Sequence, residues 1–412
     1  MRIVYLHQYF NPLTSAAGSR SYEFARRFVS AGHEVHVVTS DSTSASGTRW
    51  REEVIDGINV HWVGVPYANA MGKAKRIRAF LRFAALSATR ARGLRGDVVF
   101  ATSTPLTIAL PGRFATLFRS TPMVFEVRDL WPEMPIAVGA LKGVLAKWAA
   151  RSLERFAYQN STEIVALSDG MKAGVLATGY PASLVTVATN ASDVEMFDVD
   201  DSRAAAWRAT VPGLGTRQIV LYCGTLGLVN RVGYLVDLAV QLRNVNPSVA
   251  FVVVGQGAEF ELIRQRAVAS EVLNENFFLL GSVPKRDVPA IFRAATIVTS
   301  LFAPIREMEA NSANKFFDGL AAGKPIAINY GGWQEEVLAE SGAGIRLHPS
   351  DQAANGQTLS ALLKDDVRLR EMGLAARGLA LDRYSRDAVT SKVLAVLERV
   401  ADAGRSNAGQ SS

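Results

Sequence analysis

The chain has 412 residues but only one cysteine, five histidines and no uninterrupted apolar run of membrane-spanning length. The single Cys223 excludes an internal disulfide and a cysteine-built metal cage, so nothing calls for an oxidising compartment. It ends the buried-strand pattern Ile219-Val220-Leu221-Tyr222-Cys223, where a free thiol serves as packing. His7, His33, His36, His61 and His348 show no metal-ligand spacing, and His33 and His36 read as packed residues at a strand edge. No segment reaches the roughly 18 apolar residues of a bilayer span. Met1 leads straight into Arg2-Ile3-Val4-Tyr5-Leu6 with none of the regions of a secretory signal, so a cytoplasmic location is expected. A dinucleotide fingerprint is missing too. The loop after the first strand, residues 7–17, holds no glycine before Gly18, where Gly-x-Gly-x-x-Gly would be needed. Gly18 fits either a ligand approach or a simple turn.

The rest of the composition is globular: 49% hydrophobic, 20% charged and 8% aromatic, at about twice the length of one ordinary domain. The net charge of +7 is not spread evenly. Residues 69–120 hold ten Lys or Arg against Asp97 alone, so this segment carries +9 and the remainder is slightly acidic.

Short Val/Ile-rich runs alternate with helical periodicity along the whole chain, the pattern of parallel sheets covered on both faces. Strands are expected at 2–7, 34–39, 58–64, 97–101, 122–127 and 163–167, with helices at 19–31, 73–94, 105–118, 138–159 and 169–178. A turn-rich stretch from Pro181 to Val199 separates a second alternation, with strands at 218–223, 249–254, 276–280, 296–300 and 325–329 and helices between them. The expected fold class is therefore α/β with two Rossmann-like domains. They are placed at 1–195 and 196–384, followed by a helix at 385–402 returning to the first domain and a disordered tail at 403–412.

Ligands of open α/β sheets bind where strands end and helices begin, because helix N-termini offer unpaired N–H groups to anions. Gly224-Thr225-Leu226-Gly227 and Gly255-Gln256-Gly257 each follow a strand, and two such junctions in one domain point to a nucleotide diphosphate. Ser282 and Val283, after the third strand of that half, offer backbone groups to a base. Asn311 or Ser312 is a candidate N-cap, with Lys315 as a phosphate counter-charge and Asp318 one turn beyond Asn314 as a ribose acceptor. A capped, solvated helix is the alternative. Arg128-Asp129, emerging from a buried strand, is either a ligand group or a structural pair.

These segments resemble the retaining nucleotide-sugar glycosyltransferases of family 4, of GT-B fold, and within them the bacterial O-antigen and exopolysaccharide transferases. The resemblance rests on Tyr5-Leu6-His7-Gln8-Tyr9-Phe10, Ala31-Gly32-His33-Glu34-Val35, Glu126-Val127-Arg128-Asp129-Leu130-Trp131-Pro132, the two glycine junctions, and Asn314-Lys315-Phe316-Phe317-Asp318 through Gly323-Lys324-Pro325. It implies two Rossmann-like domains facing a central cleft, the first holding the acceptor. Of the family's two glutamates with seven residues between them, Asp318 matches the second; the first falls on Ala310, leaving Glu309 or Glu307 to serve. The family's arginine after the first glycine is Thr225, its following lysine is replaced by Asn230 or Arg231, and its His-Asp pair is Arg128-Asp129. Arg128, Asp129 and Glu309 are thus the catalytic candidates. Gly18, Gly224, Thr225, Arg231, Gly255, Gly257, Ser282, Val283, Asn311, Ser312, Asn314, Lys315 and Asp318 are the candidates for the nucleotide-sugar.

The implied chemistry uses no metal or other cofactor. A nucleotide-sugar, expected to be UDP-linked, gives its sugar to a polyprenyl-diphosphate-linked or glycan acceptor with retention. Non-hydrolysing 2-epimerases and degenerate sugar-nucleotide binding proteins are the alternatives. Lys73, Lys75, Arg76, Arg78 and Arg82, interleaved with Ile77, Phe80 and Leu81, form an amphipathic cationic helix suited to the anionic inner face of the cell membrane. Sparse aromatics between the charges argue against a nucleic-acid partner.

Overall fold

The computed structural model describes residues 1–12, 20–45, 47–68 and 71–409. They divide into two compact units, one of residues 1–189 with 389–412 and one of 190–388.

In the first unit the strands are β1 (Arg2–Leu6), β2 (Glu34–Asp41), β3 (Trp50–Ile55), β4 (Ile58–Gly64), β5 (Val98–Thr102), β6 (Met123–Val127), β7 (Glu163–Ala166) and β8 (Val185–Val187). They form one sheet in the order β3-β4-β2-β1-β5-β6-β7-β8. All pairings are parallel except that of β3 with β4. The central strands β1, β5 and β6 are buried on both faces, as their unbroken apolar runs require. The sequence reading has no strand at β3, because Arg51, Glu52 and Glu53 are exposed on this edge strand and give it no apolar face. The helix expected at 138–159 starts only at Val144, after Gly143 at φ 88°.

The second unit holds β9 (Gln218–Cys223), β10 (Val249–Val254), β11 (Phe277–Leu280), β12 (Ile297–Ser300), β13 (Ile326–Ile328) and β14 (Gly344–Arg346). Their order is β11-β10-β9-β12-β13-β14, all parallel. Right-handed β/α windings outward from β9 reverse direction between β9 and β12, so the C-terminal ends of these two strands form the switch point at which such sheets bind ligands. The helix Gln352–Leu363 is absent from the sequence reading; its polar Asn355, Gly356 and Ser360 lie buried and blur the apolar stripe.

The C-terminal helix, Arg386–Gly409, begins in the second unit and continues in the first. Val393, Val396, Leu397, Val400 and Ala401 are buried. Arg399 forms a two-toothed pair with Glu163, its Nη2 2.6 Å from Oε2. The sequence reading has a disordered tail from Ala403. The helix instead continues to Gly409, with Arg405 paired to both Asp97 and Asp402 and Gly404 packed close against Ser120 and Pro122.

Candidate functional site

Two groups of polar side chains lie at strand C-terminal ends, one in each unit. In the first unit Arg128 follows β6, and its backbone N–H donates to Ser103 Oγ at 2.8 Å. Its Nη1 stands 3.3 Å from His7 Nε2, just beyond β1, and His7 Nδ1 stands 2.7 Å from Ser21 Oγ. Burial, aided by the Arg128 charge, pushes His7 well below the usual histidine range. The imidazole is therefore neutral, and this network assigns Nδ1–H as donor to Ser21 and Nε2 as acceptor from Arg128. Asp129 accepts from Thr104 Oγ1 at 3.1 Å, and burial pushes its carboxyl upward against the opposing pull of Arg128.

Beneath them Glu126, fully buried, pairs with Arg20 at 2.9 Å and accepts from Thr102 Oγ1. Arg20 also donates to the Ala188 and Thr189 carbonyls. The hydroxyl of Tyr5 and both amide atoms of Gln8 are buried without a partner among the described residues. Such unsatisfied polar atoms are costly and concentrate at working sites. Sequence reasoning singled out Arg128 and Asp129 but not His7, Arg20 or Glu126. The available signal was that His7 directly follows a central strand. Gly18 lies outside the described residues.

In the second unit the loops after β9 and β10 press together. A Cβ on Gly255 would lie 1.9 Å from the Gly224 carbonyl oxygen, and the backbone there has φ 153°. A Cβ on Gly257 would lie 2.2 Å from the Leu226 carbonyl oxygen. Both glycines therefore serve the approach of one loop to the other. Gly224 itself makes room for a ligand-type side chain: a Cβ there would meet Lys315 Cε at 3.0 Å. Thr225 is exposed, its carbonyl fixed by the Tyr222 hydroxyl at 2.7 Å. Exposed Ser282 and half-buried Val283 follow Gly281, whose Cβ would come 3.6 Å from Gln256 Nε2.

Lys315 lies in the first turn of the helix Asn314–Ala321. Its ammonium sits 5.0 Å from the Tyr222 ring centre and 6.0 Å from that of Phe302, with no carboxylate in ion-pair distance among the described residues. Burial lowers its pKa to about 8. The helix N-terminus has no side-chain cap, and the capping residue is Ala313. Of the expected caps, Ser312 Oγ is spent elsewhere, accepting from the Asn190 N–H at 3.0 Å, while the backbone carbonyl of Asn311 accepts from Trp333 Nε1 at 3.0 Å. Asn314 is exposed at this uncapped start. An ammonium with no carboxylate in ion-pair distance, beside an uncapped helix start, is chemically suited to an anion.

Asp318 accepts from Ser192 Oγ at 2.8 Å, and burial raises its carboxyl. Glu309 packs elsewhere: a Cβ on Gly331 would lie 3.2 Å from its Oε1, and one on Gly332 would lie 2.7 Å from its carbonyl oxygen. Arg231, at φ 44°, donates to the Pro349 carbonyl at 3.1 Å. Asn230, its alternative, is buried. Gly224 thus adjoins two other expected residues, Gly255 across the loops and Lys315 from the helix. Among the described residues no three His, Cys, Asp or Glu side chains form a metal-holding group.

A family model described as a glycosyl transferase 4-like domain matches residues 15–191, and one described as glycosyl transferases group 1 matches 206–378. A probable glycosyltransferase WbjE of Pseudomonas aeruginosa is 26% identical over 321 residues, 76% of each chain. A phosphatidyl-myo-inositol mannosyltransferase of Mycobacterium leprae is 30% identical over 213 residues, covering 50% of this chain and 53% of that one. Among solved structures, Anabaena Alr3699/HepE in complex with UDP-glucose superposes with a TM-score of 0.72 at 16% identity, covering 97% and 100% of the two chains. WaaG, a glycosyltransferase involved in lipopolysaccharide biosynthesis, superposes at 0.68 and 14% identity over 96% and 98%.

Proposed function

The chain is a GT-B glycosyltransferase of the hexosyl-transferring class, with a glycosyl transferase 4-like first half and a group 1 second half, and from that premise we propose that it uses a UDP-sugar to extend a polyprenyl-diphosphate-linked or glycan acceptor in cell-surface polysaccharide assembly. Lys315 carries this reading, as a half-buried ammonium with no carboxylate in ion-pair distance among the described residues, at an uncapped helix start facing Gly224. It is the right group to take a diphosphate that must depart with negative charge. HepE was solved with UDP-glucose and WaaG takes part in lipopolysaccharide biosynthesis, and both supports are by likeness.

The transfer proposed is retaining. The bond from the anomeric carbon to the UDP oxygen breaks with its electron pair going to UDP. The acceptor hydroxyl bonds to that carbon on the same face, and its proton passes to the departing phosphate oxygen. Lys315 and the first-turn N–H groups hold the leaving charge, and Asp318 accepts from ribose hydroxyls. In the first unit Arg128, oriented by neutral His7, and Asp129 serve the reacting groups. Proximity and charge stabilisation supply the acceleration, and no metal is needed for the leaving group.

The cationic helix Lys73–Leu94 is proposed to rest on the anionic inner face of the membrane. Lys73, Lys75 and Arg78 are exposed, as are Ile77 and Leu81 at 57% and 51%. Arg76 is half-buried against the Tyr67 ring, and Arg82 donates to the Gly47 carbonyl, so these two contribute less. Thermal-shift screening of a nucleotide-sugar panel identifies the donor, since a ligand of the folded state raises the melting point. NMR of the product with that donor should then show retained anomeric configuration, undiminished by a chelator. UDP binding without sugar transfer to any lipid or glycan acceptor refutes the transfer assigned here, and formation of an epimer from donor alone replaces it.

A further inference from the structure

The first unit carries a second apolar surface that the chemistry above does not use. The helix Val144–Gln159 starts on Gly143 with no side-chain cap. Its first turns expose Val144, Leu145 and Trp148 at 87%, 77% and 65%. Single exposed apolar residues are ordinary, but three large ones on one helix start form a patch. Lys147, Arg151 and Arg155 line the same open depression as Val144 and Trp148. Between residues 130 and 160 the only acids are Glu133, spent on Arg151 at 3.1 Å, and Glu154, which is buried. The charge left around the apolar tip is therefore positive, from exposed Lys142 and Arg155 and half-buried Lys147.

This tip adjoins the cationic helix. Lys73 Nζ donates to the Ala140 carbonyl at 2.8 Å, tying the first turn of the helix Lys73–Leu94 to the loop that leads to Val144. From that tie, Ile77 is about 6 Å along its helix and Val144 at most about 14 Å along the chain.

We propose that Val144, Leu145 and Trp148 are a second insertion point into an anionic bilayer, acting beside Ile77 and Leu81; this rests on the membrane reading above. A bilayer fits better than a protein partner on two counts. Cations of one sign surround both apolar tips, matching an anionic leaflet. Tryptophan beside exposed aliphatics is the composition that settles at the headgroup boundary. Two insertion points, unlike one, also fix which edge of the unit faces the lipid.

Vesicles of phosphatidylethanolamine and phosphatidylglycerol test this by flotation. The paired substitutions Leu145→Ser with Trp148→Ser, and separately Ile77→Ser with Leu81→Ser, should each weaken vesicle binding about tenfold or more. The difference in fluorescence between the wild type and Trp148→Phe should shift blue on vesicles and be quenched by brominated lipid. UDP-induced thermal shifts, expected unchanged, confirm that each variant is folded. If the wild type floats and only the Ile77/Leu81 variant fails, without quenching of Trp148, the membrane reading stands and the second insertion point is overturned. If the wild type does not float, both fall. If the Leu145/Trp148 variant floats normally but sediments as a smaller species, the patch joins copies of this chain and the proposal is overturned.

Discussion

Replacing Lys315 by methionine should move two observables in opposite directions. Burial lowers the lysine pKa from 10.5 to about 8. At about 1.4 kcal/mol per pH unit, keeping the ammonium charged in the unliganded fold costs about 3 kcal/mol. The rings of Tyr222 and Phe302 return about 1 kcal/mol of this through cation–π attraction. Methionine retains the length and fits the same apolar walls, so the free protein should gain about 1–2 kcal/mol, or roughly 2–8 °C in the melting of a domain this size. UDP meanwhile loses a charge-assisted contact of about 1.5–3 kcal/mol, a weakening of roughly 10- to 150-fold. Calorimetric titration with UDP and melting curves with and without it read both quantities. The pH dependence has a definite sign. Only the ammonium attracts diphosphate, so above about pH 7, where the UDP phosphates are fully ionised, wild-type affinity should fall as pH rises through about 8; in Lys315→Met that fall should vanish. A variant no more stable than wild type, with UDP affinity within twofold and the same pH profile, would refute the counter-charge assignment.

Asp318→Ala should weaken UDP binding about tenfold or more while Ser192 loses only an acceptor; unchanged affinity in a titration would remove the ribose role. Gly255→Ala should cost more than about 3 kcal/mol, because its Cβ would lie 1.9 Å from the Gly224 carbonyl and the backbone has φ 153°; a denaturant midpoint like that of wild type contradicts this. Glu154→Gln tests linkage in the first unit. Burial raises the Glu154 carboxyl from 4.5 to about 7. The folded state therefore binds more protons than the unfolded one between these values, and wild-type stability falls as pH rises across that window, by about 3 kcal/mol in total. The glutamine variant should match wild type near pH 4.5 and exceed it at pH 8. Equal pH profiles in urea unfolding would show that the group is not buried as described.

The β/α alternation was legible because strands buried on both faces cannot hide their apolar runs: β9 and β10 lie where Ile219–Cys223 and Val249–Val254 predicted them. β3 was not, since an edge strand bearing Arg51, Glu52 and Glu53 carries no such signal. Lys315 could be found because it opens a helix after a strand. The fate of its neighbour Ser312 could not, because that hydroxyl is claimed by Asn190, distant in sequence. His7 and Arg128 are likewise 121 residues apart and meet only through the order β1-β5-β6. Composition records what a side chain is able to do, and sheet order determines with whom.

The C-terminal helix bears on how such enzymes can be recombined. Its buried Val393, Val396, Leu397 and Val400 and its Arg399–Glu163 pair belong to the first unit, although the chain reaches them only after completing the second. A chimera made with a single crossover near residue 190 would graft a foreign helix onto the native first unit and strand its apolar seam. Residues 190–388 should instead be exchanged as a cassette with two junctions, leaving the helix with its own sheet. By the same logic, a frameshift or stop codon late in the gene would damage the beginning of the protein.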